Sequence, residues 1–134
     1  MSDLEFLQPD GWAKPSGYSN GIAARGRMIF VAGQIGWDPA TSRLVSDDLV
    51  EQARQAFANI VAVLKAGGAE PAHVVRMTWY LTDRERYLAS RAALGEVYRS
   101  YFGRHFPVAT LLVVSSLAEA GALVEIEVTA VVPE

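Results

Sequence analysis

The stretch ALVEIEVTA, residues 122–130, carries the side chains with the widest chemical reach, because Glu125 and Glu127 interrupt a run that otherwise reads as buried strand. A carboxylate in a sheltered setting can take a proton from water or pair with a cation. Residues two apart on a strand share a face. That rule sets Glu125, Glu127 and Thr129 together, opposite Val124, Ile126, Val128 and Ala130. The segment HVVRMTWYLT, residues 73–82, alternates in the same way, with Val75, Met77, Trp79 and Leu81 on one side and Val74, Arg76, Thr78 and Tyr80 on the other. Arg76 is the expected partner of one glutamate, most simply Glu127, since carboxylates on mixed faces usually pair.

Other chemistries find little support. There is no cysteine, which excludes a thiol nucleophile and thiolate metal sites. His73 and His105 lie far apart without a recurring acidic neighbour, so no metal is expected. Neither GxGxxG nor P-loop spacing occurs, and no cofactor is expected. The 12 cations are scattered in a chain of net charge −3, which argues against nucleic acid as a partner. No run of about 18 apolar residues is present, and the opening MSDLEFLQPDGW lacks the basic start of an export signal. The expectation is a cytoplasmic protein with no membrane contact.

The elements that must position these residues follow from periodicity and punctuation. YSNGIAARGRMIFVAGQ, residues 18–34, predicts a hairpin of two short strands, 21–24 and 28–32, joined at Arg25-Gly26-Arg27. A turn-rich loop follows, and a helix is expected from Asp47 or Asp48 to about Lys65, stopped by Gly67-Gly68. Its apolar stripe is Leu49, Ala53, Ala56, Phe57, Ile60, Val63 and Leu64. A second helix is announced by Thr82-Asp83-Arg84-Glu85 and ends before Gly103, with the stripe Leu88, Leu94, Val97, Tyr98 and Tyr101. Strands are expected at 108–114 and 123–131. These elements make one α+β domain over residues 1–134, with helices covering one sheet face. The other face is too mixed for a core and apolar enough to be covered by a second copy of the chain. A composition 51% apolar agrees with an oligomer's subunit.

The segments GYSNG (17–21), IFVAGQIGWDPAT (29–41), EQARQAFANIVAVLKAGGA (51–69), VVRMTWYLTD (74–83), YFGRHFP (101–107) and LVEIEVTAV (123–131) together resemble the Rid, or YjgF-type, family of reactive-intermediate deaminases. The resemblance implies a chorismate-mutase-like domain, a mixed sheet with two helices packed on one face, and a homotrimer whose sheets close into a central barrel. It also implies three inter-subunit clefts, in each of which active members hydrolyse a small-molecule enamine or imine to a keto acid and ammonia. By the same resemblance, Tyr18 lines the pocket, Gly33 lends its strand backbone to the substrate, and Glu125 positions or activates water. Trp37, in the loop after Gly33, either walls the cleft or covers a subunit contact.

Two positions depart from the pattern. Phe106-Pro107-Val108-Ala109-Thr110 stands where the family reads Phe-Pro-Ala-Arg-Ser, and Ala32 replaces a serine. The missing arginine would clamp a carboxylate in bidentate fashion, an interaction of about 2–5 kcal/mol when buried. Two expectations therefore stand. In one, Ala109 and Thr110 wall a cleft that binds and hydrolyses a larger or less charged enamine, imine or related metabolite. In the other, the trimer binds small molecules or serves as a scaffold without turnover. Arg104, just before the altered strand, is the arginine to watch as a substitute. A ribonuclease reading is disfavoured by the acidic balance.

Overall fold

The computed structural model describes residues 4–134, so the first three residues of the opening segment lie outside it. In chain order the elements are β1 (Glu5–Leu7), β2 (Gly21–Ala23), β3 (Arg27–Ile35), β4 (Trp37–Asp38), β5 (Arg43–Leu44), α1 (Leu49–Ala66), β6 (Val74–Leu81), α2 (Arg84–Ala89), α3 (Arg91–Phe102), β7 (Val108–Val113) and β8 (Val124–Val132). Four of the strands form the main sheet in the order β3-β8-β6-β7. The last strand, β8, runs antiparallel to both neighbours, whereas β6 and β7 are parallel. A parallel pair needs a crossover, which α2 and α3 supply.

Helix α1 forms where the apolar stripe predicts. Asp48 caps it by accepting the Glu51 amide at 3.0 Å, and the chain leaves it through Gly67 and Gly68. Leu49, Ala53, Ala56, Phe57, Ile60 and Leu64 are all buried, but Val63 is 41% exposed, so the stripe is narrower than expected. The helix lies on β3 and β8 and against α3. At the centre of the core, Phe57 meets Trp79 edge-on at 5.5 Å, Phe102 at 5.5 Å and Tyr98 at 5.9 Å. Such aromatic contacts add to the burial of the ring.

Three expectations about the elements need correction. The strands at 21–23 and 27–35 do not pair with each other: β2 pairs with β1, and β3 pairs along β8. At the supposed turn, Gly26 has φ +149°, and a Cβ there would stand 2.1 Å from the Val132 carbonyl oxygen. The chain thus crosses the end of β8 where the hairpin would turn back. The second helix is two helices, broken at Ser90, whose φ of −103° and ψ of 4° leave the helical region. Asp83 caps the first piece by accepting the Arg86 amide, and that piece buries no residue, so Leu88 is exposed. Finally, a bulge between Val74 and Arg76 reverses the alternation at the start of β6. Val74 is fully buried with the core, while Met77, Trp79 and Leu81 keep the expected side.

The sheet face turned away from the helices carries Phe30, Thr129 and Arg76 in one row, Glu127, Thr78 and Thr110 in the next, and Glu125, Tyr80 and Leu112 in a third. Within one subunit nothing covers it, and Phe30 is 70% exposed. Among the described residues, no helix is long and apolar enough to cross a membrane.

Candidate functional site

Glu125 is placed by β8 and its surroundings by an irregularity in β3. The register of that pair slips between Val31 and Gln34, leaving Ala32 and Gly33 outside the ladder. The Glu125 carboxylate lies directly over Gly33: a Cβ added there would stand 2.1 Å from Oε2. Only glycine leaves that space, so the bulge and the missing side chain together admit the carboxylate to the strand backbone.

Beside Glu125, Tyr80 donates its hydroxyl to Glu127 Oε2 at 3.0 Å. That hydrogen bond, then desolvation and the two glutamate charges, raises the Tyr80 hydroxyl pKa above its ordinary 10.0. The expected Arg76–Glu127 pair is absent. Among the described residues the ion pairs are Arg54–Glu51 and Arg84–Glu85, and the register sets Arg76 opposite Thr129 and Thr78 opposite Glu127. The tyrosine two residues further along the same face takes the place assigned to the arginine.

Tyr18 and Ala109 meet elsewhere, in a cleft of about 380 Å³ between α3, β7 and residues 16–18. The Ser19 amide donates to the Pro107 carbonyl at 3.1 Å, and its hydroxyl donates to the Phe106 carbonyl. This ties the loop to the start of β7 and holds Tyr18 beside Ala109. The floor is Met77 and Trp79; one wall carries Arg91, Gly95 and Arg99 from α3. Tyr98, stacked on Phe106 at 5.8 Å, lines it too, and burial raises its hydroxyl pKa.

One subunit does not bring the six expected residues together. Gly33 and Glu125 touch on or beside the uncovered face; Tyr18 and Ala109 share the cleft on the helix side. Thr110 pairs with Thr78 on the uncovered face, as strand alternation requires of the residue after Ala109. Trp37 lies in the β4–β5 hairpin, its carbonyl accepting from Asn59 Nδ2 at 3.0 Å, near α1 and apart from the residues lining the cleft. Arg104 does not line the cleft either.

Arg91 and Arg99 do line it, although the sequence analysis singles out neither. The four-residue spacing Arg91-Gly95-Arg99, which stacks all three on one helical face, was the available signal. Both histidines have local partners: His105 Nε2 is 2.6 Å from the Val74 carbonyl, and His73 Nδ1 accepts the Glu70 amide. Among the described residues, no group of three His, Asp or Glu side chains could hold a metal ion.

The family model described as endoribonuclease L-PSP matches residues 12–132. A RutC family protein of Pyrococcus horikoshii is 41% identical over 127 residues, covering 94% of this chain and 96% of the relative. The 2-iminobutanoate/2-iminopropanoate deaminase of Capra hircus is 40% identical over 105 residues, covering 78% and 73%. A crystal structure from Yersinia pestis, described as a protein of unknown function of the conserved Rid family, superposes with a TM-score of 0.85 at 32% identity, covering 97% of this chain and 99% of that one. With its mixed sheet, its crossover helices and a matched span reaching nearly from end to end, the chain belongs to the Rid, or YjgF-type, family.

Proposed function

We propose that this chain works in the cytoplasm as a homotrimer whose inter-subunit clefts bind and hydrolyse an enamine, imine or related reactive metabolite. The observation that carries the reading is the Glu125 carboxylate laid against the Gly33 bulge, a fixed acceptor beside a strand backbone outside its ladder. The exposed Phe30 and Met28 on one edge strand and Leu112 on the other support assembly, since large apolar side chains left open along a sheet face suit cover by a partner. With the β3 edge of one sheet set beside the β7 edge of the next, the Gly33–Glu125 half of one subunit completes the Tyr18–Ala109 half of its neighbour, and Thr110 lies at that seam. The names of relatives such as the 2-iminobutanoate/2-iminopropanoate deaminase of Capra hircus support the reaction class.

In this scheme water adds to the C=N carbon while Glu125 takes one water proton. The carbinolamine so formed collapses to the C=O product, and its nitrogen leaves as ammonia after receiving a proton. The protein's main contribution is to hold water and imine in line. No metal or cofactor enters the scheme.

Imines generated by an amino-acid oxidase and trapped with semicarbazide provide the test. Wild type should speed imine loss over buffer, and a Glu125→Gln variant that remains trimeric should not. No acceleration with any of several amino acids would remove the enzymatic reading. A second reading, ligand binding without turnover, is favoured by one feature, Ala109 in place of the clamp arginine. It expects thermal stabilisation by small metabolites that survives Glu125→Gln, with no product formed.

A further inference from the structure

Ala109 leaves β7 without a charge, yet the cleft it lines is not without cations. Arg91 and Arg99 are its two charged lining residues, and no carboxylate lines it. Neither guanidinium has an acidic partner within 4.0 Å among the described residues. In a chain of net charge −3, a concave site with two unpaired arginines is a local reversal of sign.

The geometry around Gly95 adds a second, independent observation. Arg91, Gly95 and Arg99 follow one another at four-residue intervals, so they lie in line along one face of α3. A Cβ added at Gly95 would stand 3.2 Å from Arg99 Nη1 and 3.9 Å from its Cζ. The Arg99 guanidinium is therefore folded back across the glycine, towards the turn that carries Arg91. Glycine inside a helix weakens it relative to alanine, and neither arginine is paired with a carboxylate among the described residues. Neither arrangement helps the fold. Both suit an anion held between the two guanidiniums.

We infer that the cleft takes a carboxylate whose charged end sits on Arg99 and Arg91 of α3, with a bulky apolar or aromatic body lying against Tyr18, Tyr87, Phe106 and Ala109. The cations of the cleft stand on its helix wall, not on its strand wall. The small side chain of Ala109 leaves space for the body of the ligand, and about 380 Å³ accommodates a single-ring acid. This deepens the proposed function by naming its substrate class: 2-imino acids with aromatic or branched side chains.

The test is a calorimetric titration of the intact protein with phenylpyruvate and with phenylacetone, which keeps the ring and ketone but lacks the carboxylate. Phenylpyruvate should bind wild type about 10-fold tighter or more than phenylacetone, as expected for hydrogen bonds to a charged group. Arg99→Gln and Arg91→Gln should each remove most of that preference while leaving phenylacetone unchanged. Arg104→Gln, outside the cleft, should leave the preference intact. Both arginines are exposed, so their replacement should leave the fold intact, as a circular dichroism spectrum would verify. Equal affinity of wild type for the two probes, or a preference untouched by Arg99→Gln, overturns the inference. The two proposals fail separately. Arginine-dependent phenylpyruvate binding without imine hydrolysis upholds this one and sinks the enzymatic reading. Glu125-dependent hydrolysis with KM unchanged by Arg99→Gln and Arg91→Gln does the reverse.

Discussion

The two halves of the candidate site differ in charge, cover and construction. On the uncovered sheet face, Glu125 and Glu127 are held by strand register, a bulge and one tyrosine hydroxyl. On the helix side, Arg91 and Arg99 are held by helical spacing above a floor of core aromatics. The acidic half can handle protons; the basic half lines a cleft that holds no carboxylate. Each lacks what the other has. The fold puts the two on opposite faces of one sheet, and the proposed trimer is what would join them.

The largest expected effect comes from removing the base. Glu125→Gln should lower the hydrolytic rate by about 10²-fold or more, the range of a lost general base, while leaving the melting temperature nearly unchanged. Semicarbazide-trapping rates and calorimetry on the same preparation check both halves of that statement. Next, the core beneath the floor of the basic half can be opened. Phe57 touches both Trp79 and Tyr98, and Phe57→Ala should cost about 3–5 kcal/mol in a denaturant titration. Gly33→Ala acts in the opposite sense. Its Cβ would collide with a carboxylate at the end of a flexible side chain, so Glu125 should swing away. Activity should then fall nearly as far as with Glu125→Gln, with a stability change within about 1 kcal/mol.

The smallest effect concerns Tyr80. Its folded pKa is raised, so the stabilisation it brings is fully present below pH 10.0 and is lost as pH rises through the folded value. Tyr80→Phe should flatten the alkaline limb of the stability profile. An unchanged limb would mean that the Tyr80–Glu127 bond does not set it.

Much of the acidic half was legible in the sequence. The alternation of β8 placed Glu125, Glu127 and Thr129 on one face because nothing interrupts that strand, and the stripe and caps of α1 marked it within a residue or two. Legibility ended where local irregularity overrode the pattern. The bulge near Val75 moved Val74 into the core, Ser90 broke a helix whose stripe had been read through it, and a hairpin at Gly26 gave way to long-range pairing with β8. The partner of Glu127 was misassigned for a related reason, since alternation names a face but not the register of the facing strand. Arg91 and Arg99 were hidden differently. Their spacing was visible, but only the packing of α3 against β7 turns one helical face into the wall of a cleft.

Whether each proposed site is shared between two subunits is decided by mixing subunits. Glu125→Gln disables the acidic half, and Ala109→Trp plugs the cleft in the basic half. Each variant alone should be inactive as a homotrimer. After the two are unfolded together in equal amounts and refolded, random assembly should restore about a quarter of the sites, each joining an intact acidic half to an intact basic half across a heterologous interface. Recovery of hydrolysis near that level is the predicted result. If the mixed trimers form and stay as inactive as their parents, the two halves belong to one subunit, and the account is wrong.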